Sequence, residues 1–272
     1  EKMRASVLVD NIGNKGLPGE WGLSFYIEYK EKKILLDAGQ TGLFAENAKK
    51  LGLDLADVDY AVLSHAHYDH ADGMPVFFEQ NSKAKLYLKE SCGENCYDRK
   101  EGHMKYIGIK SGFLEKFKDR IIRVPGDLKI SGGVWLISHS AENMKKAGER
   151  EHMYLKEENG WAPDCFAHEQ SLVFETESGL VIFNSCSHGG ADNIINEVSA
   201  VFPGRQICAM AGGFHLYNKS EEYVRSFAEK VRATGVEKIY TGHCTGEEGY
   251  RILHDVLGDR THQLEAGLEI VL

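Results

Sequence analysis

The chain of 272 residues holds only five prolines and no Pro-rich or Ser-rich stretch, so nothing in it reads as a linker and one domain over 1–272 is expected. No apolar run approaches the ~18 residues a membrane-spanning helix needs, which argues against a membrane partner. Positive charge is scarce. Against 41 Asp and Glu stand 32 Lys and Arg, a formal net charge of -9, which disfavours nonspecific contact with nucleic acid or anionic lipid. Glu1-Lys2-Met3-Arg4 leads straight into an apolar segment with no secretory pattern. The six cysteines (Cys92, Cys96, Cys165, Cys186, Cys208 and Cys244) are scattered, which suits reduced thiols and a cytoplasmic setting. Cys92 and Cys96 form a lone CxxxC pair without a second pair at zinc-ribbon spacing, and read as ordinary thiols. What remains is an ordinary globular composition, 42% hydrophobic with 29 glycines, long enough to bury a sizeable core.

Apolar patterning predicts strands over 6–10, 23–29 and 33–37, the last two joined as a hairpin through Lys30-Glu31-Lys32. A helix is expected over 43–51, stopped at Gly52, then a buried strand over 59–64. Further strands are expected over 85–88, 121–124, 134–137, 171–175, 180–184, 206–211, 237–240 and 268–272. Helices are expected over 192–201, 223–234 and 247–257. The stretch 91–120 is loose and polar, and 138–168 is long, charged and without apolar period, as in loops that form active-site lids. Together, 91–168 is expected to be a less regular insertion on the substrate side. Two successive runs of strands then helices suit two stacked sheets coated by helices.

The densest chemistry is His65-Ala66-His67-Tyr68-Asp69-His70, directly after the apolar Tyr60-Ala61-Val62-Leu63. Neutral imidazoles each offer a lone pair to a metal, and the carboxylate adds charge and an oxygen ligand. Residues two apart on an extended backbone point to one side, so His65 and His67 can face one ion. Asp69 and His70 can turn toward a second. Three more histidines stand where predicted strands run into glycine-rich turns: His188 in Cys186-Ser187-His188-Gly189-Gly190, His215 after Gly212-Gly213, and His243 in Thr241-Gly242-His243-Cys244. Glycine there lets backbone approach a ligand closely. His139, His152, His168, His254 and His262 lack this setting and read as ordinary, with His168, just before a strand, the one of them that could reach the site. From Cys92 to Arg123 eight Lys/Arg stand against five Asp/Glu, a local surplus of three positive charges suited to an anionic substrate.

These motifs resemble the metallo-β-lactamase superfamily. His65, His67, Asp69 and His70 match its His-x-His-x-Asp-His motif, and Leu35-Leu36-Asp37-Ala38-Gly39 resembles its preceding strand and aspartate turn. The glycine-flanked motifs around His188, His215 and His243 resemble the branch labelled dihydropterin-ribofuranosylaminobenzene-phosphate synthase, which also holds many metal-dependent hydrolases. The resemblance implies an α/β fold, an αββα four-layer sandwich with mixed sheets flanked by helices. It implies a first divalent cation on His65, His67 and His188 and a second on Asp69, His70 and His243, zinc foremost with manganese or iron as alternatives. Asp37 would accept an N–H from a ligand histidine, Asp69 would also orient the attacking water, and His215 would contact the substrate or its leaving group. Superfamily members usually add a bridging Asp or Cys, and the strand matched for it here ends in Gly212-Gly213, which leaves open His215 as a substitute ligand or a weaker second metal site. The implied activity is hydrolysis of a phosphate-bearing small molecule. The alternatives are a methanopterin-type synthase releasing pyrophosphate, a lactone or thioester hydrolase, and a di-iron redox protein.

Overall fold

A computed structural model describes residues 2–14, 16–139 and 144–272. Two seven-stranded mixed sheets form its centre. The N-terminal sheet runs, in spatial order, Glu269–Val271, Arg4–Val9, Ser24–Tyr29, Lys32–Leu36, Tyr60–Val62, Lys85–Lys89 and Ile121–Val124. The C-terminal sheet runs Thr261–Gln263, Lys238–Thr241, Ile207–Gly212, Gly179–Phe183, Gln170–Thr176, Val134–Ser138 and Leu128–Ser131.

Side-chain alternation along the strands explains why they stack this way. Phe25, Ile27, Ile34, Leu36 and Val62 point inward and meet Leu136, Leu172, Phe174, Val181 and Phe183 of the other sheet in one buried cluster. Their neighbours Tyr26, Leu35 and Ala61 point outward, onto Phe44, Ala48 and Phe77 of the helices Leu43–Lys50 and Met74–Gln80. Leu180, Ile182 and Met210 do the same on the far side, against the helices Ala191–Val201, Glu221–Ala233 and Glu247–Leu257. Strands buried on both faces must be apolar at nearly every position, so they read as continuous runs. The result is the expected four-layer αββα sandwich. The 24–36 hairpin closes with Tyr29 opposite Lys32, a two-residue turn in which Lys30 and Glu31 both take positive φ.

Both sheets are parallel where the site is built. Lys32–Leu36, Tyr60–Val62 and Lys85–Lys89 are parallel neighbours, as are Gly179–Phe183, Ile207–Gly212 and Lys238–Thr241. Parallel strands send their carboxyl ends to the same edge, where ligands gather in open α/β sheets.

The insertion departs from expectation. Among the described residues of 138–168, which exclude 140–143, there is no long irregular lid but a helix, Met144–Glu151, and a hairpin of Met153–Glu157 with Gly160–Pro163. The hairpin pairs with a second one, Tyr97–Lys100 with His103–Tyr106, in a four-stranded antiparallel sheet. These strands are short and only half-buried, so their apolar period is faint in the sequence. The sheet is tied to the metal-motif turn by the bond from Tyr68 N–H to Ile107 O at 3.0 Å.

Candidate metal centre

His65, His67 and His188 converge with ligand atoms within 4.8 Å of one another, and all three are buried. Their ring centroids stand 4.5 to 5.2 Å apart. His65 Nε2, His67 Nε2 and both ring nitrogens of His188 are buried without any hydrogen-bond partner. Leaving buried polar atoms unpaired costs about 1–3 kcal/mol each, so this concentration signals a missing ligand. Burial pushes all three pKa values down, that of His67 to about 3. The rings are therefore neutral and carry the lone pairs a cation takes. Phe166 stacks on His188 at 4.5 Å and holds its ring plane.

Asp69, His70 and His243 form a second buried group. His70 Nε2 lies 3.1 Å from His243 Nε2 and 3.4 Å from Asp69 Oδ2, which is itself 3.1 Å from His243 Nε2. Such crowding of acceptors needs a cation or a proton between them. Without a metal a proton serves. Burial opposes a charged His70, but the Asp69 and Asp37 carboxylates outweigh it and push its pKa up to about 10. Burial would likewise raise Asp69, yet His70 and the hydrogen bond with His243 hold it well below the usual carboxylate range.

Asp37 orients both groups. Its Oδ2 accepts from His70 Nδ1 at 2.7 Å and from the Ser64 hydroxyl at 2.7 Å, and its Oδ1 accepts from Ser64 N–H at 2.8 Å. Ser64 Oγ in turn lies 2.7 Å from His65 Nδ1. This chain fixes the protonated nitrogen of His65 and His70 at Nδ1 and leaves Nε2 free for metal, the usual role of a carboxylate behind a ligand histidine. Asn11 does the same for His243, whose Nδ1 lies 2.9 Å from Asn11 Oδ1, while Asp10 Oδ1 accepts His243 N–H at 2.8 Å.

His215 stands beside the first group, its ring 4.7 Å from that of His188. Its Nδ1 meets Glu151 Oε2 at 2.7 Å. Glu151 also accepts from Lys219 and Arg150. Burial would raise Glu151, but these partners overcome it and lower its pKa to about 2, so it is an anion behind the imidazole. A pocket opens over both metal groups, lined by Asp69, His188, His215 and His243 and by Asp98, Lys100, Lys105, Trp21 and Tyr217.

The comparisons with known proteins agree with this geometry. Residues 21–142 match the family described as metallo-beta-lactamase superfamily. The crystal structure of Tm1679, described as a metal-dependent hydrolase of the beta-lactamase superfamily, superposes with a TM-score of 0.84 at 27% identity over 98% of each chain. The chain resembles the metallo-β-lactamase superfamily in its family match and its fold. It is 26% identical over 261 residues to the 7,8-dihydropterin-6-methyl-4-(beta-D-ribofuranosyl)-aminobenzene-5'-phosphate synthase of Methanocaldococcus jannaschii, covering 90% of this chain and 88% of that one. A diphosphatase of the PhnP family shares the fold alone, with a TM-score of 0.55 at 16% identity over 100% of this chain and 98% of the other.

The structure brings together, in two groups, all six residues expected to hold metal, with Asp37 behind His65 and His70. His168 does not join them. Its Nδ1 accepts Ala66 N–H at 3.0 Å, which puts its proton on Nε2, and Nε2–H donates to Asp164 Oδ2 at 3.0 Å. The pair pins the peptide between His65 and His67. His168→Ala is expected to weaken metal affinity at that site by about 10- to 100-fold, the usual cost of losing a group that orients ligands, read by competition with a chelating dye.

At Gly212 no carboxylate fits, because even a Cβ there would lie 1.8 Å from Asn184 O. The group beside the second metal set is a thiol instead, with Cys186 Sγ 3.1 Å from His70 Nε2 and 3.6 Å from Cys244 Sγ. Glu151, Asn11 and Asp164 were missed by the sequence reading. Glu151 sits in the stretch read as loop. Asn11 and Asp164 are lone polar residues with no motif around them.

Proposed function

We propose that the protein is a hydrolase using water activated by two divalent cations, zinc foremost, on a phosphate-bearing small molecule, by phosphoester or phosphodiester cleavage. The observation that carries this reading is the pocket itself. Two sets of imidazoles, the second with a carboxylate, form its floor, and the exposed lysines Lys100 and Lys105 stand at its rim. On a chain of net charge -9, two lysines at the mouth against one acidic neighbour, Asp98 at 3.8 Å from Lys100, favour an anion entering there. The names of the two nearly full-length relatives, a metal-dependent hydrolase and a synthase of a phosphate ester, support the same choice.

When bound, the cations supply Lewis acidity and bring the pKa of water from ~15.7 toward ~7. The chain's own groups do the rest. His65, His67 and His188 hold one cation, and Asp69, His70 and His243 the other. Asp69, which lines the pocket, also orients the attacking water. With Nδ1 turned to Glu151, His215 presents Nε2 to the pocket and delivers a proton to the leaving oxygen, while the Glu151 anion steadies the imidazolium.

His215→Ala is expected to lower kcat by about 100-fold, the low end of general acid–base contributions, with metal content per chain unchanged by elemental analysis. A wild-type rate would remove His215 from the mechanism. The reaction class is tested by turnover of phosphomonoesters, phosphodiesters, lactones and thioesters by metal-loaded protein. Cleavage of lactones or thioesters alone would overturn the phosphate reading, and pyrophosphate release would point to the synthase alternative.

A further inference from the structure

Seven large apolar side chains are exposed among the described residues, and two of them, Trp21 and Tyr217, touch each other at the rim of the metal pocket. Their rings meet edge to face at 5.2 Å, with 37% and 44% of their surfaces exposed. None of the other five lines this pocket. Exposed aromatic surface with no structural task marks a place where something else packs.

Both rings sit on fixed backbone. Gly22 N–H, next to Trp21, donates to Asn11 Oδ1 at 3.1 Å, and Trp21 O accepts from Gln40 Nε2 at 2.8 Å. Tyr217 N–H donates to Cys244 O at 3.0 Å. The rings also border the chemistry, Trp21 at 5.2 Å from the His243 ring and Tyr217 at 5.3 Å from the His215 ring. A rigid aromatic surface loses little entropy on binding and suits a flat partner. The same pocket carries Lys100 and Lys105 on the 97–106 hairpin. It thus joins an aromatic surface and two lysines, Lys100 beside Asp98, to one metal floor.

We propose that Trp21 and Tyr217 form a stacking wall that selects substrates carrying a planar aromatic group along with their phosphate. The inference rests on the phosphoester reading and narrows it from any small phosphate ester to aromatic ones. An aliphatic phosphate ester would use the lysines and the metals but leave the wall wet.

The test compares binding of 1-naphthyl phosphonate and methyl phosphonate to metal-loaded protein by calorimetry, which needs no turnover. The wild-type protein should prefer the naphthyl compound by at least about tenfold, or about 1.4 kcal/mol, at the low end of what base–aromatic stacking contributes. Trp21→Ala should remove most of that preference and Trp21→Phe restore part of it. Since Trp21 also packs on His243, Tyr217→Leu is the second variant and should reduce the preference too. Metal content is measured for each. Equal binding of the two phosphonates, or an undiminished preference in both Trp21→Ala and Tyr217→Leu, overturns the wall while leaving the phosphate reading intact. Failure of both phosphonates to bind overturns the phosphate reading and the wall with it.

Discussion

His67→Ala should abolish metal-dependent turnover, by more than about 1000-fold, while leaving the fold in place. His67 is one of three buried imidazoles around the first cation position, and its Nε2 has no partner within the protein. A ligand set reduced from three imidazoles to two cannot hold an ion firmly. The fold survives because the ring supports neither sheet. The apolar clusters that join the layers are built from other residues, such as Phe25, Phe174 and Phe183. The effect on stability should differ in sign between the two metal states. In metal-free wild-type protein the orphaned nitrogens are a burden, so removing one of the rings costs little or even stabilises. Metal bound only to the native state stabilises by mass action, about 4 kcal/mol at a thousandfold excess over Kd. Added zinc should therefore raise the melting temperature of the wild-type protein far more than that of the variant, as scanning calorimetry would show. Full activity in His67→Ala would mean that the metal-binding assignment is wrong.

Asp37→Asn is expected to be nearly as damaging, although Asp37 touches no metal. Its carboxylate receives three hydrogen bonds, from His70 Nδ1, Ser64 Oγ and Ser64 N–H. An asparagine keeps the shape but turns one acceptor into a donor. Two donors would then face each other, across 2.7 Å at His70 Nδ1 or across 2.8 Å at the Ser64 N–H. Relief comes by moving the His70 proton to Nε2, the nitrogen meant for metal, or by breaking the Ser64 link that orients His65. Metal affinity should fall by about 10- to 100-fold, most at the His70 site. Asp37 is fully buried and holds a positive φ of 58°, a conformation asparagine tolerates, so backbone strain does not confound the comparison. Asp37→Ala should cost more stability, because it leaves buried donors unpaired. Stoichiometric tight binding of two cations by Asp37→Asn, measured by titration, would show that the aspartate does not orient the ligands.

Much of this centre was legible because local geometry carries it. Four ligands stand within six residues after one strand, and short-range backbone direction separates them into two sets. Asp37 was legible through its own strand and turn. The strands read as apolar runs because both of their faces are buried. The helix Met144–Glu151 and the four-stranded sheet around 97–106 and 153–163 were not, since half-buried surface elements leave no clear period. Glu151 was lost with them. His168 was placed within reach of the site but given no role, because whether a histidine binds metal or a peptide N–H depends on which nitrogen faces which group.

The sequence by itself determined the layered fold, the first cluster of ligands and the glycine-flanked histidines that complete it, since each depends on residues close in the chain. Only the tertiary structure decided how the sets close. His188 and His243 reach the 65–70 turn because parallel pairing sends Gly179–Phe183 and Lys238–Thr241 to one edge. The Glu151–His215 pair, the Cys186 thiol beside His70 and the Trp21–Tyr217 contact likewise join residues 64, 116 and 196 positions apart. Contacts over such separations are set by sheet order and layer packing, and no local pattern of residues encodes them.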